Sequence, residues 1–122
     1  MGIIHLRLYS TTYRDVPIEN LGRSFLLNAA AAITAAIVVL VVRHRWAVLA
    51  PLAVANATLI AFGLSRTDRG IMGFTERGWT PSPDAAIAVL IEIATAALCV
   101  LALVGHQNAV GGVEPDERRR AG

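Results

Sequence analysis

Three apolar stretches, residues 25–42, 47–64 and 85–104, contain a single charged residue among them, Glu92. Each is 18 to 20 residues long. At about 1.5 Å of rise per residue a helix of that length covers roughly 27 to 30 Å, the thickness of a bilayer's hydrocarbon core. A soluble three-helix core would carry polar residues at helical spacing, and 25–42 offers only Asn28 and Thr34. The chain therefore reads as all-α: an integral membrane bundle of three transmembrane helices (25–42, 47–64, 85–104). A short extracytoplasmic segment, interfacial or a helix remnant, occupies 1–24, and a disordered tail occupies 105–122.

Composition narrows the function classes. The chain has 122 residues, 55% of them hydrophobic, which allows one bundle and no second domain. All eleven basic residues are Arg, scattered over the polar segments and interleaved with acids. A nucleic-acid footprint would gather them on one face with aromatics between, so no nucleic-acid partner is expected. Cys99 is the lone cysteine and lies inside an apolar stretch, which leaves it a packing role and excludes an intrachain disulfide. His5, His44 and His106 show no ligand spacing, so neither metal nor cofactor is expected. The Met-Gly start lacks the Ser or Thr at position 6 that N-myristoylation needs, and no signal-peptide cleavage pattern follows.

Along the chain, a lone strand over the alternating residues 2–9 would leave its backbone unpaired in lipid, so a short helical or interfacial piece is expected. Tyr9 and Tyr13 suit the headgroup zone, and Asp15 to Glu19 resembles a helix start with Pro17 in its first turn. Arg43 to Trp46 is a tight turn that makes the first two spans antiparallel neighbours. Ala53, Ala57 and Ala61 on the second span, and Asn28, Ala31, Ala32 and Ala35 on the first, form rows suited to close helix contact. In the loop 65–84 three Arg and three acids cancel, Gly and Pro set turns, Phe74 and Trp79 suit the interface, and Pro83 before Asp84 starts the third helix. The Arg count is six on one side and five on the other. The basic turn favours the cytoplasm and the ornate loop the outside: N-terminus and loop 65–84 out, C-terminus in.

Gly2 to Leu6, the run from Tyr13 to Ala29, Ser65-Arg66-Thr67, Gly73 to Glu76, Trp79 and Leu90-Ile91-Glu92 together resemble a group of small bacterial multi-pass membrane proteins with four helices. The resemblance spans residues 2–104. It implies that residues 2–9 end a first helix, most of which is missing here, either because the native start lies upstream of Met1 or because this member has lost it, that 13–21 form an external loop, and that Arg43 to Trp46 lie in the cytoplasm. The group brings no activity to transfer.

Glu92 sits about 10 Å in from the loop end of its span, where an ionised carboxylate is costly unless paired, neutral or wet. Asn56 and Thr58 of the second span and Thr34 of the first reach similar depth, with Asn28 nearer the surface, and His5 is expected beside the third span in the outer half of the bundle. Glu92, Asn56, His5 and Asn28 are thus the candidate ligand or proton site. Two function classes follow. In the first, preferred on sequence, Glu92 is interhelical glue bonded to Asn56 in an accessory or structural subunit that packs on a second copy or a membrane-protein partner. In the second, Glu92 centres a small transporter-like or ligand-binding module. A water-reachable pocket at Glu92 favours the second, dry packing the first. No nucleophile with its base is present to suggest an enzyme.

Overall fold

The computed structural model describes residues 1–18 and 20–111. All regular structure among them is helical: α1 (Gly2–Leu8), continued by a π-helical turn (Tyr9–Tyr13), α2 (Leu21–Val42), a 3-10 turn (Arg45–Val48), α3 (Leu49–Ser65) and α4 (Asp84–Gly111). The second, third and fourth helices, α3 counted with the 3-10 turn before it, are long and apolar enough to cross a bilayer.

Local chemistry sets the boundaries. Arg43 closes α2 in the left-handed region at φ 48°, and a 3-10 turn, whose Trp46 amide donates to the His44 imidazole, reverses the chain into α3. Pro51 falls in the first turn of α3, where a missing N–H costs nothing. At the start of α4 the Pro81 and Pro83 carbonyls accept from Ala85 N and Ile87 N at 2.8 and 3.1 Å. Asp84, the first residue of α4, is favoured by the positive end of the helix and by Arg7, whose Nε lies 3.0 Å away.

Polarity runs inside out. Leu27, Leu40, Val41, Leu90, Leu98 and Leu101 are exposed, whereas the buried polar side chains are His5, Ser65 and Glu92. Glu92 is the largest side chain wholly removed from the surface. The chief apolar cluster, Ile4, Leu8, Tyr13, Leu21, Phe74 and Ala88, sits at the end of the bundle that carries α1 and the loop between α3 and α4.

Several local expectations change. Asp15 and Pro17 do not start a helix. Residues 14–18 form a turn and a bend, and α2 begins at Leu21 behind Asn20, whose φ of 67° breaks the helical path. Tyr13 and Phe74 are buried within the protein, because the folded loop offers them each other. Trp79 stays exposed against Phe62. The Ala53/Ala57/Ala61 row is not the tight face of α3: Ala55 is fully buried while Ala53 and Ala57 are exposed. On α2, Ala32 and Ala35 are buried as expected. The last helix passes the expected end at 104 and runs to Gly111, since no proline intervenes and a helix need not stop where its apolar stretch does. The remainder of the expected tail, 112–122, lies outside the described residues.

Candidate functional site: a roofed cavity over Glu92

Glu92 is on the inward face of α4, two turns below its start, with Ala85 and Ala88 buried above it on the same stripe. The small alanines leave the space their positions command empty, and a cavity of about 420 Å³ opens there. Its floor holds Glu92, His5 and the Asn28–Thr58 pair, its walls are apolar side chains of α2, α3 and α4, and its roof is the loop after α3. Ala57 and Ala61 line it. Small residues on this face make room; they do not bring backbones together. Leu27 and Ala57 line it and are also exposed on the outer side of the α2/α3 flank.

The four candidates do not all meet. His5, buried on α1, brings Nδ1 to 3.7 Å from Glu92 Oε1, beyond hydrogen-bonding range. The same nitrogen is 3.2 Å from the Met1 carbonyl oxygen, which can only accept, so Nδ1 carries a proton directed there. Asn28 Nδ2 donates to Thr58 Oγ1 at 2.6 Å, and Thr58 donates on to Val54 O at 2.9 Å, linking α2 to α3. Asn56 is exposed and donates to Leu52 O of its own helix at 2.8 Å. Thr34 is exposed too. The Asn56–Glu92 bond of the glue reading is therefore absent. One position along a helix rotates a side chain by about 100°, and depth alone does not report that angle. Glu92 Oε1 and Oε2 and Asn28 Oδ1 are buried without a hydrogen-bond partner.

The roof is held by residues that the sequence reading passed over. Arg66, the residue after α3, ion-pairs with Glu76 Oε2 at 3.2 Å and donates to Gly78 O at 3.1 Å and Thr80 O at 2.8 Å. Its guanidinium also lies 3.9 Å over the Phe62 ring. Tyr13 OH donates to the other Glu76 oxygen at 2.7 Å. Burial, then this bond to Glu76, pushes the Tyr13 phenol above its ordinary pKa. Tyr13 stacks on Phe25 at 4.1 Å and meets Phe74 edge-on at 5.7 Å. Between Arg66 and Glu76 the loop turns on Met72 and Gly73, both at positive φ (52° and 77°), flanked by the reciprocal Ile71–Phe74 backbone bonds. That is the two-residue hairpin that positive φ at both central positions permits. Gly70 is required as well: at φ 62° a Cβ there would press on the Phe74 carbonyl. The signal for the clamp lay in the charge pattern, with one Arg and one Glu bracketing a Gly-rich turn, where the cancelling charges were read only as a balanced sum.

No three His, Cys, Asp or Glu side chains gather as metal ligands among the described residues. Compared with known proteins, the chain matches no family model, no curated protein and no solved structure.

Proposed function

We propose that this chain is a small multi-pass membrane protein that holds a small amphiphilic molecule in the cavity above Glu92, with the Arg66–Glu76 loop as its roof. The second function class is preferred to the accessory-subunit reading on the cavity and the missing interhelical bond, while Glu92 itself lies just beneath the surface that water reaches. The observation that carries it is a cavity of about 420 Å³, within the size range of small-molecule sites, lined mostly by apolar side chains with a few polar groups at one end. Where the glue reading needs Glu92 bonded across helices, both carboxylate oxygens stand unpartnered. The apolar exterior of α2 to α4 supports a lipid setting, and the resemblance to four-helix bacterial membrane proteins is kept as part of the proposal, since Ser65 to Trp79, which carry much of it, form the roof. In the proposed orientation α1 and the roof are extracytoplasmic, and Arg43 to Trp46 and the C-terminus are cytoplasmic.

The binding test uses 2-phenylethanol as a neutral probe with the protein in lipid nanodiscs, read by ligand-observed NMR. Saturable binding that Ala61→Phe removes is expected. Binding that never saturates, or that survives the filled cavity, overturns the proposal. For orientation, Arg45→Cys and Thr75→Cys in a Cys99→Ala background are treated on intact cells with an impermeant thiol reagent. Position 75 should react and position 45 should not, and the reverse overturns the assignment.

A further inference from the structure

We propose that the molecule held in the cavity is a lipophilic amine, an organic cation that donates N–H bonds from one end and buries an apolar body at the other. This rests on the reading of the cavity as a binding site and names the chemistry of its occupant.

The inference comes from an imbalance of donors and acceptors. Buried polar atoms nearly always have partners, so the exceptions call for explanation. Among the described residues the unpartnered buried side-chain atoms are Glu92 Oε1, Glu92 Oε2 and Asn28 Oδ1. The amide oxygen accepts only, as does each oxygen of Glu92 in the ionised form that a bound cation would favour; both residues line the cavity with these oxygens just beneath its surface, so an occupant meets Glu92 by a rotation of that side chain. The donors nearby are committed elsewhere. His5 Nδ1 faces the Met1 carbonyl, Asn28 Nδ2 is used on Thr58, and Arg66 is taken up by Glu76, Gly78 and Thr80 at the roof.

An acid or phosphate ester would add acceptors to acceptors and set negative charge beside Glu92. A neutral alcohol brings one donor. An ammonium brings up to three donors and a positive charge to Glu92, which His5 Nδ1 approaches only to 3.7 Å, and charge-assisted bonds are the stronger kind. The walls suit the apolar body of the same ligand: Tyr13, Phe25 and Phe74 line the cavity with other apolar side chains. The α2/α3 flank, where Leu27 and Ala57 both line the cavity and are exposed outside, is the side from which an amphiphile in lipid would enter.

The test compares phenethylamine, 2-phenylethanol and 3-phenylpropanoate on the full chain in nanodiscs of zwitterionic lipid, which removes bulk electrostatic partitioning. The amine should bind at least about tenfold tighter than the alcohol, the scale of one charge-assisted bond, and the propanoate should not bind. Glu92→Gln should bring the amine down to the level of the alcohol while the alcohol still binds, which also reports that the variant is folded. If the wild-type protein binds alcohol and amine equally, or if Glu92→Gln keeps the amine preference, the amine proposal falls and the cavity reading stands. If none of the three probes binds the wild-type protein, both fall. The wild-type comparison decides without reliance on any variant.

Discussion

The two ends of the bundle solve the same problem in opposite ways. At the turn end, where Arg43 to Val48 join α2 to α3, buried alanines (Ala35, Ala47, Ala55) let the helices approach, and among the described residues no buried side-chain polar atom is left without a partner there. At the loop end the helices are held apart by α1, by Tyr13, Phe25 and Phe74, and by a charged clamp, and a cavity remains between them. Alanine is abundant at both ends. Its effect is close contact where a neighbouring backbone faces it and empty volume where none does, so the residue type sets what is allowed and the neighbours decide what happens.

The sharpest way to break this comparison is to make one substitution on both sides of it. Ala55 and Ala57 are two residues apart on α3. Ala55 is 0% exposed, and Ala57 borders the cavity. Ala55→Leu forces three extra heavy atoms into a closed contact and should destabilise the protein by about 3 kcal/mol, the upper range for overpacking. Ala57→Leu has room and should change stability by less than about 0.5 kcal/mol. Thermal unfolding in mild detergent measures both, and equal losses would mean that the two ends pack alike.

Removal of the clamp comes next. Arg66→Ala deletes an ion pair with a largely buried Glu76 and two bonds to loop carbonyls, and it leaves a carboxylate with one partner fewer. The side chains are 18% and 14% exposed, so the cost is expected at about 2 kcal/mol, below that of breaking a fully buried pair. Protease cleavage within 67–80 should rise in parallel, while the turn at Arg43 to Trp46 is cut no faster. Cleavage that rises equally at both places would mean that Arg66 supports the whole bundle rather than the roof.

Tyr13→Phe removes only the hydroxyl donated to Glu76 and should cost about 1 kcal/mol. It carries a pH signature. The folded-state phenol has a pKa above its unfolded value. The stabilisation tied to the protonated phenol is therefore complete below the unfolded pKa, about 10, and is lost as pH rises from there through the folded value, because the unfolded chain gives up its proton first. The parent should lose stability above pH 10 more steeply than Tyr13→Phe, and parallel slopes would place the hydroxyl in water.

What the sequence made legible follows from these contrasts. The expected span 25–42 lies inside α2, and 85–104 lies inside α4. Length and freedom from charge are one-dimensional properties, and the bilayer-sized stretch is set by them alone. Rotation about each helix axis was not legible. Spans that are apolar all round carry no polar stripe to say which side turns inward, so Asn56 was favoured over Asn28 by depth when Asn28 is the one that faces another helix. Tyr13 and Phe74 were assigned to the interface for a related reason. Their burial depends on a contact between residues 61 positions apart, and nothing local to either announces it.

Replacement of Glu92 should cost no stability and should have the most telling effect on the comparison. A polar side chain that glues helices together costs about 1 kcal/mol when it is removed. Glu92 has no such bond: both oxygens are unpartnered and His5 stands 3.7 Å away, so Glu92→Leu trades an unsatisfied buried carboxyl for an apolar side chain of similar volume. Such exchanges are neutral or stabilising. Glu92→Leu should therefore unfold in detergent at the same temperature as the parent or slightly higher, by up to about 1 kcal/mol, while losing its preference for an amine over an alcohol. Stability held while binding is lost is the pattern of a residue kept for a ligand at the expense of packing. A loss of 1 kcal/mol or more would show that Glu92 has a structural partner after all, and the loop end would then be a packed interface like the turn end, differing only in the residues that fill it.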